Sequence, residues 1–203
     1  MSIVTRRGVM AGIGGVLGAR PALAEDRGSA LSGSWRFART GQGQDGLWRA
    51  EANGAIAQIS DDPTDNRFPL AIWQPVVAAS VAVSVRFRSV SGKVDQAGGI
   101  AVRLIDPDNY YLVRANALED NVNFYRVTGG VRRQIKGVDV AVKSGVWHAL
   151  GLTADGDTFT VAYDGKTLFR ATDRALTKAG RVALWTKADS VTWFDSVDIR
   201  ALG

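Results

Sequence analysis

The feature that most constrains the fold is a short-range alternation of apolar and polar residues. From Ser34 onward, runs rich in Val, Ile, Thr, Tyr, Phe and Trp alternate with a period of two, and Gly, Asp or Asn breaks them about every eight to twelve residues. A helix would instead need apolar residues three and four positions apart, and that pattern nowhere lasts beyond about two turns. The chain is therefore predicted to be all-β, with residues 172–180 as the best candidate for a short helical turn.

Turn residues divide the chain into hairpins. Asp164–Gly165 lies between two alternating runs, and a two-residue turn of this kind needs the positive φ angles that Asp and Gly adopt at low cost. Gly129–Gly130 and Asp155–Gly156 are interpreted in the same way. The twelve strands predicted in this manner suggest a jelly roll of two packed antiparallel sheets. Residues 60–75, which contain three prolines, are predicted to form a long loop.

Residues 1–24 differ from the rest of the chain and resemble a cleavable export signal. Arg6 and Arg7 precede a mildly apolar segment, and residues 22–24 form an A-x-A cleavage arrangement, which favours a twin-arginine signal. The alternative is a membrane anchor, but an apolar run of about ten residues is short of the roughly twenty needed to cross a bilayer. We therefore expect one mature domain at residues 25–203, periplasmic or secreted, with no stable membrane span.

Composition argues against a nucleic-acid partner. Removal of the three leader arginines leaves 22 basic against 20 acidic residues. The only short basic ribbon is "GGVRRQIKG", residues 129–137, whereas nucleic-acid binding needs Lys and Arg clustered over one face. The chain has no cysteine, so no disulfide supports the fold and its stability must come from the core.

Two neighbouring runs, residues 109–116 and 121–128, place many polar side chains along predicted strands. In the first run, Tyr111 and the alternate residues after it form the better core face. The opposite, polar faces of the two runs should lie side by side, because the linker between them is short enough for a hairpin. They are predicted to line the concave side of the jelly roll and to bind a carbohydrate ligand. The alternative is an ordinary solvent-facing strand surface.

The predicted ligand-binding residues share this polar face or lie on adjoining strands. They are Arg103, Tyr110, Arg114, Asn116, Asn121, Asn123, Tyr125, Trp185 and Lys187. Trp185 and Lys187 lie two positions apart, so they share a face and could combine a stacking platform with a positive charge. Core packing of Trp185 is the alternative.

Three segments between residues 97 and 199 carry a resemblance to a known family. They are "AGGIAVRLIDPDNYYLVRAN", "GVWHALGLTADGDTFTVAYDGKTLF" and "AGRVALWTKADSVTWFDSVDI", of which the last is the most specific. These segments resemble the 3-keto-disaccharide hydrolase-like domain, a laminin-G-like relative of the concanavalin A jelly rolls. The N-terminal third of the chain matches that family only loosely.

The resemblance implies a concanavalin A-like sandwich that acts on 3-keto glycosides. In that chemistry the keto group acidifies the neighbouring C2 hydrogen, a base removes the proton, and the aglycone leaves by elimination. The reaction needs a base, an oxyanion stabiliser, often a divalent metal, and a proton donor. The resemblance assigns none of these roles to a particular residue here.

Glu119 and Asp120 are the catalytic candidates, because they lie at the tip between the two polar strands and could act as a base or a metal ligand. The alternative is a solvated hairpin turn, in which Asp is common. His148, the single histidine, lies beside Trp147 at a strand start and is interpreted as structural. The E-x-D-x-x-E motif of concanavalin-type endoglucanases is missing, which argues against that activity.

Acidic turns offer the oxygen ligands that a divalent cation such as Ca²⁺ requires. Residues 61–65 and 106–109 are such turns, but neither has the spacing of an EF-hand. The sequence therefore makes a divalent cation conceivable, gives it no defined site, and makes no cofactor requirement evident.

The sequence leads to one main hypothesis and two alternatives. The main hypothesis is an exported β-sandwich that binds or cleaves carbohydrate, with hydrolysis or lysis of 3-keto glycosides as its enzymatic form. The alternatives are a non-catalytic glycan-binding module and a protein-interaction module of the cell envelope.

Overall fold

The computed structural model describes residues 34–51 and 54–203 and shows an all-β fold. Within these residues, fourteen strands form two sheets of seven strands each, and the strand pairs are antiparallel. The predicted two-sheet antiparallel sandwich is therefore confirmed. The predicted leader, residues 1–24, lies outside the described residues. The described residues contain no helix long and apolar enough to cross a bilayer.

Each sheet combines strands from both halves of the chain. The first sheet, in spatial order, consists of β1 (Trp35–Gly41), β4 (Arg67–Ala78), β13 (Gly180–Thr186), β6 (Ala97–Asp106), β7 (Asn109–Asn116), β8 (Asn121–Thr128) and β9 (Val131–Asp139). The second sheet consists of β12 (Lys166–Thr172), β11 (Thr158–Tyr163), β10 (His148–Asp155), β5 (Val81–Ser91), β14 (Val191–Ala201), β3 (Ile56–Gln58) and β2 (Trp48–Ala50).

Two of the three predicted two-residue turns are present, and the third lies one residue later than predicted, at residues 156–157. Asp164 and Gly165, with φ angles of 44° and 77°, join β11 to β12, and Gly129 and Gly130, with φ angles of 56° and 75°, join β8 to β9. Positive φ at both central residues matches the twist of the flanking strands. The meander from β6 to β9 therefore forms with the strand neighbours that the sequence predicts.

Two predictions about local structure are wrong. Residues 172–180 contain no helical turn; Asp173 instead anchors this segment by accepting hydrogen bonds from the hydroxyl of Tyr111, a guanidinium nitrogen of Arg126 and the amide of Ala175. The predicted loop at residues 60–75 gives way to β4 at Arg67, so that Pro69 and Pro75 lie within the strand. Pro75 is tolerated because it lies where the register between β4 and β13 shifts, at an irregularity of the kind that accepts proline.

The main core lies between the two sheets. Tyr111 and Phe124 of the first sheet pack against Phe159 of the second, with ring centroids 4.4 Å and 4.8 Å from that of Phe159. Tyr111, Val113 and Ala115 are fully buried in this core, so the predicted core face of β7 is confirmed.

The other face of the first sheet is concave and holds a second apolar cluster. Tyr110 on β7 and Thr40 on β1 are separated by three strands in the sheet, yet their side-chain oxygens lie 2.9 Å apart. The guanidinium carbon of Arg132 on β9 likewise lies 5.0 Å from the ring centroid of Phe68 on β4. Contacts across so many strands require the sheet to curl around this face. Leu70, Leu112 and Trp185 are among the residues that the curled face buries.

Candidate functional site

The hairpin of β7 and β8 brings polar side chains together at one end of the concave face. Arg114 pairs with Asn123 and Asn116 pairs with Asn121 across the two strands. Residues directly opposite each other in an antiparallel pair project to the same face, so these four side chains and Tyr125 form one group, here called the polar cluster. The cluster is the arrangement that the alternation in the sequence predicts.

Arg114 organises the polar cluster through three hydrogen bonds. One terminal nitrogen donates to Oδ1 of Asn121 at 2.7 Å. The other donates to Oε2 of Glu119 at 2.6 Å and to the hydroxyl of Tyr125 at 3.1 Å. Charge-assisted hydrogen bonds of this kind are short and geometrically specific. Arg114 therefore fixes the positions of the amide of Asn121 and the carboxylate of Glu119.

The polar cluster continues across β8 and β9. Nδ2 of Asn123 donates to the hydroxyl of Tyr125 at 3.2 Å, and Nε2 of Gln134 lies 3.5 Å from Oδ1 of Asn123. The guanidinium of Arg114 also lies over the ring of Tyr125, 5.7 Å from its centroid. Four neighbouring side chains are thus held by contacts with one another.

The side chains of the polar cluster, and that of Glu119 which contacts it, differ in their exposure to solvent. Arg114 is 3% exposed, and Asn116, Asn123 and Tyr125 are also buried. The side chain of Glu119 is 47% exposed. Asn121, half-buried, lies beside it and donates to Glu119 Oε2 at 3.2 Å. Glu119 and Asn121 are therefore the side chains most accessible to a ligand, and the buried Arg114 and Tyr125 lie behind them.

A second charged group lies nearby, around Lys187 at the end of β13. Its ammonium forms ion pairs with Asp65 and with Oδ2 of Asp95, the latter at 3.0 Å. Burial lowers the pKa of Lys187, but the two carboxylates outweigh this effect and raise the pKa above its ordinary value. Sequence reasoning identified Lys187 but missed Asp95, which lies before β6 and shows no local pattern in the sequence.

Asp95 is the most unusual carboxyl group of this region. It is 1% exposed, and burial raises its pKa despite the opposing charges of Lys187 and Arg114. The charge of Glu119 also raises this pKa, so the group around Lys187 and the polar cluster act on each other electrostatically.

Some buried polar atoms of Asp95 and the polar cluster have no hydrogen-bond partner among the described residues. They are Oδ1 of Asp95, Nε of Arg114 and Nδ2 of Asn116. Buried polar atoms are usually paired, because an unpaired one retains the cost of losing its water. These three atoms therefore retain a hydrogen-bonding capacity that the described residues do not use.

Trp185 and Tyr110 are placed differently from the prediction of an open stacking platform. Trp185 is fully buried, stacks on Phe68 with a centroid distance of 5.4 Å, and donates from Nε1 to the hydroxyl of Tyr110 at 3.3 Å. Burial raises the pKa of Tyr110 to about 12. Both rings belong to the second apolar cluster, as the alternative interpretation of Trp185 expected.

Arg103 does not join the polar cluster. Its side chain donates to the carbonyl oxygens of Ala79, Leu176 and Gly156, and its guanidinium lies 5.2 Å from the ring centroid of Phe159 in the main core. The prediction assumed unbroken alternation along β6. Arg103 instead has a φ of 50° within a register shift between β6 and β7, and such an irregularity turns its side chain to the other side of the sheet.

The two catalytic candidates have different surroundings. Partial burial raises the pKa of Glu119, but hydrogen bonds and the charge of Arg114 outweigh it and lower the pKa below its ordinary value. A carboxylate held in this way is a weak base. Asp120, with a φ of 47°, accepts a hydrogen bond at Oδ1 from the amide of Val142 at 2.9 Å, and thereby holds the segment after β9.

His148 has the contacts of a structural residue. Its Nδ1 lies 2.8 Å from Oδ2 of Asp164, and its Nε2 accepts a hydrogen bond from the amide of Lys143 at 3.1 Å. Both ring nitrogens are therefore occupied by protein groups that fix the β11–β12 turn and the segment before β10.

No group of three or more His, Cys, Asp or Glu side chains in the described residues has a metal-binding arrangement. The acidic turns are used locally: Asp62 accepts hydrogen bonds from the amides of Gln44 and Thr64, and Asp106 accepts from the amide of Asp108. The amide of Gln44 and the hydroxyl and amide of Thr64 lower the pKa of Asp62 to about 2. A divalent cation stays a prediction without a defined site.

Comparison with known proteins identifies the fold. No protein-family model and no curated protein sequence matches the chain. Among solved structures, the carbohydrate-binding module CBM66 from Bacillus subtilis has a TM-score of 0.69 at 19% identity, over 81% of this chain and 95% of that chain.

Two further structures have the same architecture. A Bacillus subtilis protein of unknown function with a galectin-like fold has a TM-score of 0.61 at 9% identity, over 86% of this chain and 92% of that chain. The β-glucanase of Bacillus licheniformis has a TM-score of 0.57 at 14% identity, over 85% and 94% respectively. At these identities the likeness establishes a jelly-roll sandwich and nothing about activity.

Proposed function

We propose that the protein binds carbohydrate at the exposed edge of the polar cluster. The observation that carries this proposal is the contact of Arg114 with both Glu119 and Asn121, which fixes a carboxylate and an amide beside each other at the rim of the concave sheet. Sugar hydroxyls need donors and acceptors at defined positions, and groups held in advance lose less freedom when they bind.

The fold supports the proposal as an analogy. The similar structures include proteins named as a carbohydrate-binding module and a β-glucanase. A shared fold does not define a binding site. The polar cluster is the specific support, because its side chains lie on one face and are held in position by one another.

A glycan array followed by calorimetric titration tests this proposal. We expect saturable binding of at least one glycan, weakened about tenfold or more in Asn121→Ala and Glu119→Gln, since loss of a well-placed polar contact costs about 1–2 kcal/mol. Glu51→Gln is the matched control, because Glu51 is also paired with an arginine, Arg49, but lies at the end of β2 in the second sheet. A folded protein that binds no glycan would sink the proposal.

A second candidate function is cleavage of a 3-keto glycoside, as the family resemblance implies. The observation that favours it is Asp95, a buried carboxyl group with a raised pKa beside Lys187. A carboxylate with a raised pKa is a stronger base than Glu119 and is better suited to take a proton from carbon. Its burial is the obstacle, because a substrate would have to displace neighbouring groups to reach it.

Release of sugar from 3-keto disaccharides, followed with and without a chelator, tests the enzymatic form. We expect turnover that Asp95→Asn abolishes and Glu119→Gln only weakens. The absence of turnover with every divalent metal added would leave a binding protein without this activity.

We also propose that the protein is exported, on the basis of residues 1–24 alone. The experiment is intact-mass measurement of the protein from periplasmic and extracellular fractions. A mature chain that begins near Glu25 would support export, and an uncleaved cytoplasmic chain would contradict it.

A further inference from the structure

A cleft on the concave side is lined by residues that do not belong to the polar cluster. It has a volume of about 390 Å³, in the size range of small-molecule sites, and lies between the ends of β1 and β4 and the turn between β8 and β9. Its lining residues are Gly41, Gln42, Asn66, Phe68, Gly130, Val131 and Arg132. Arg132 is the one charged residue in this lining, and it belongs to the short basic ribbon of the sequence.

One terminal nitrogen of the Arg132 guanidinium has no acceptor in the described part of the chain. Its Nη1 is buried without a partner, and no carboxylate of the described residues forms an ion pair with it. Two buried arginines of the same sheet differ: Arg67 donates to three carbonyl oxygens and a hydroxyl, and Arg103 donates to three carbonyl oxygens.

Aromatic rings hold the guanidinium of Arg132 in place. Its central carbon lies 4.7 Å from the ring centroid of Tyr125, 5.0 Å from that of Phe68 and 5.6 Å from that of Trp185. Burial lowers the pKa of Arg132 and outweighs the charge of Asp95, which raises it. Stacking orients a planar guanidinium while leaving its edge free to donate to a carboxylate.

We infer that the carbohydrate is acidic, and that the carboxylate of a uronic-acid unit binds Arg132 in this cleft. This inference rests on the proposed function. The amides of Gln42 and Asn66 and the ring of Phe68 line the same cleft and suit the hydroxyls and the flat face of a sugar. Tyr125 connects the two regions, because its ring contacts Arg132 on the cleft side and Arg114 in the polar cluster.

The test compares ligands that differ only in charge. Tetramers of galacturonic acid and of mannuronic acid are titrated calorimetrically against their fully methyl-esterified forms. We expect at least one acid tetramer to bind about tenfold or more tightly than its ester, with an affinity that falls as sodium chloride is added. Arg132→Gln should remove this preference, so that the acid tetramer binds no more tightly than its ester.

Three variants sharpen the test. Arg133→Gln removes the same charge from the next residue, which is exposed and lines a different surface depression. Arg88→Gln removes an arginine that is also stacked on aromatic rings, Trp147 and Trp193, but belongs to β5 of the second sheet. Neither should change the preference. Asp108→Asn should strengthen it, because the carboxylate of Asp108 lies beside Gly130 at the edge of the cleft.

The outcomes separate this inference from the proposed function. If other glycans bind through Asn121 but neither acid tetramer is preferred over its ester, or Arg132→Gln keeps the preference, the inference is overturned and the proposed function stands. If no glycan of the array and neither tetramer binds, both fail. Circular dichroism of each variant checks that a loss of binding does not reflect unfolding.

Discussion

Strands β7 and β8 present two unlike faces. Toward the second sheet they place Val113 and Phe124, which are fully buried in the main core. Toward the concave side they place Arg114, Asn116 and Asn123, which are also buried but polar. Apolar side chains of similar size would stabilise a sheet face at lower cost, because burying polar groups requires partners. The difference indicates that the inner face contributes apolar packing to stability, whereas the concave face carries the polar groups on which the proposed glycan binding depends.

The largest expected difference compares two adjacent residues on opposite faces. Phe124→Ala should lower the free energy of unfolding by about 3–5 kcal/mol, because it leaves a cavity beside Phe159. Asn123→Ala should lower it by about 1 kcal/mol, since it removes one hydrogen bond to Tyr125 and a longer contact with Gln134. Urea unfolding of both variants measures these values, and equal losses would show that the concave face carries as much stability as the core.

Much of this contrast could be predicted from the sequence, because alternation is a local property of the chain. The core face of Tyr111 and the opposite face of Arg114 follow directly from a period of two. The Asp164–Gly165 turn also follows from the backbone preferences of two residues.

Features that depend on distant segments could not be predicted. Lys187 and Asp95 meet only because β13 lies next to β6, although 92 positions separate them in the sequence. The curvature that buries Trp185 depends on contacts between β1 and β7. The register shift at Arg103 interrupts the alternation of side chains between the two faces of β6, and no residue pattern in β6 predicts this shift.

Two arginines sharpen the comparison, because the sequence assigns both to the ligand and the structure separates them. Arg103→Met should cost about 2–4 kcal/mol of stability, since it leaves carbonyl oxygens of three segments unpaired, and should leave glycan affinity unchanged. Arg114→Met should cost only about 1–2 kcal/mol, because Glu119 is half exposed and water can solvate its carboxylate. Its effect on affinity should be about tenfold or more.

Urea unfolding combined with glycan titration distinguishes the two arginines. If Arg103→Met remains folded but loses glycan affinity, the assignment of Arg103 to the core alone is wrong. If Arg114→Met binds like the unmodified protein, the support of Glu119 and Asn121 by Arg114 is not needed for recognition.

The smallest effect concerns two carboxyl groups whose pKa values shift in opposite directions. The pKa of Asp62 is lowered to about 2, so its ionised form stabilises the fold; this contribution is complete above about pH 4 and is lost as the pH falls toward 2. The pKa of Asp95 is raised, so its protonated form is favoured on folding; that contribution is complete below about pH 4 and is lost as the pH rises through the folded-state pKa.

Replacing each carboxyl group by an amide should therefore give opposite results. Asp62→Asn should be less stable than the unmodified protein at pH 7, with a difference that shrinks toward pH 2. Asp95→Asn should be more stable at pH 8, with an advantage that shrinks below about pH 4, because the amide removes the cost of burying an ionised group. Thermal unfolding between pH 2 and 8 measures both trends. A loss of stability in Asp95→Asn at pH 8 would mean that the pair with Lys187 outweighs burial, and the end of the concave face near Asp95 would then be an ordinary structural ion pair.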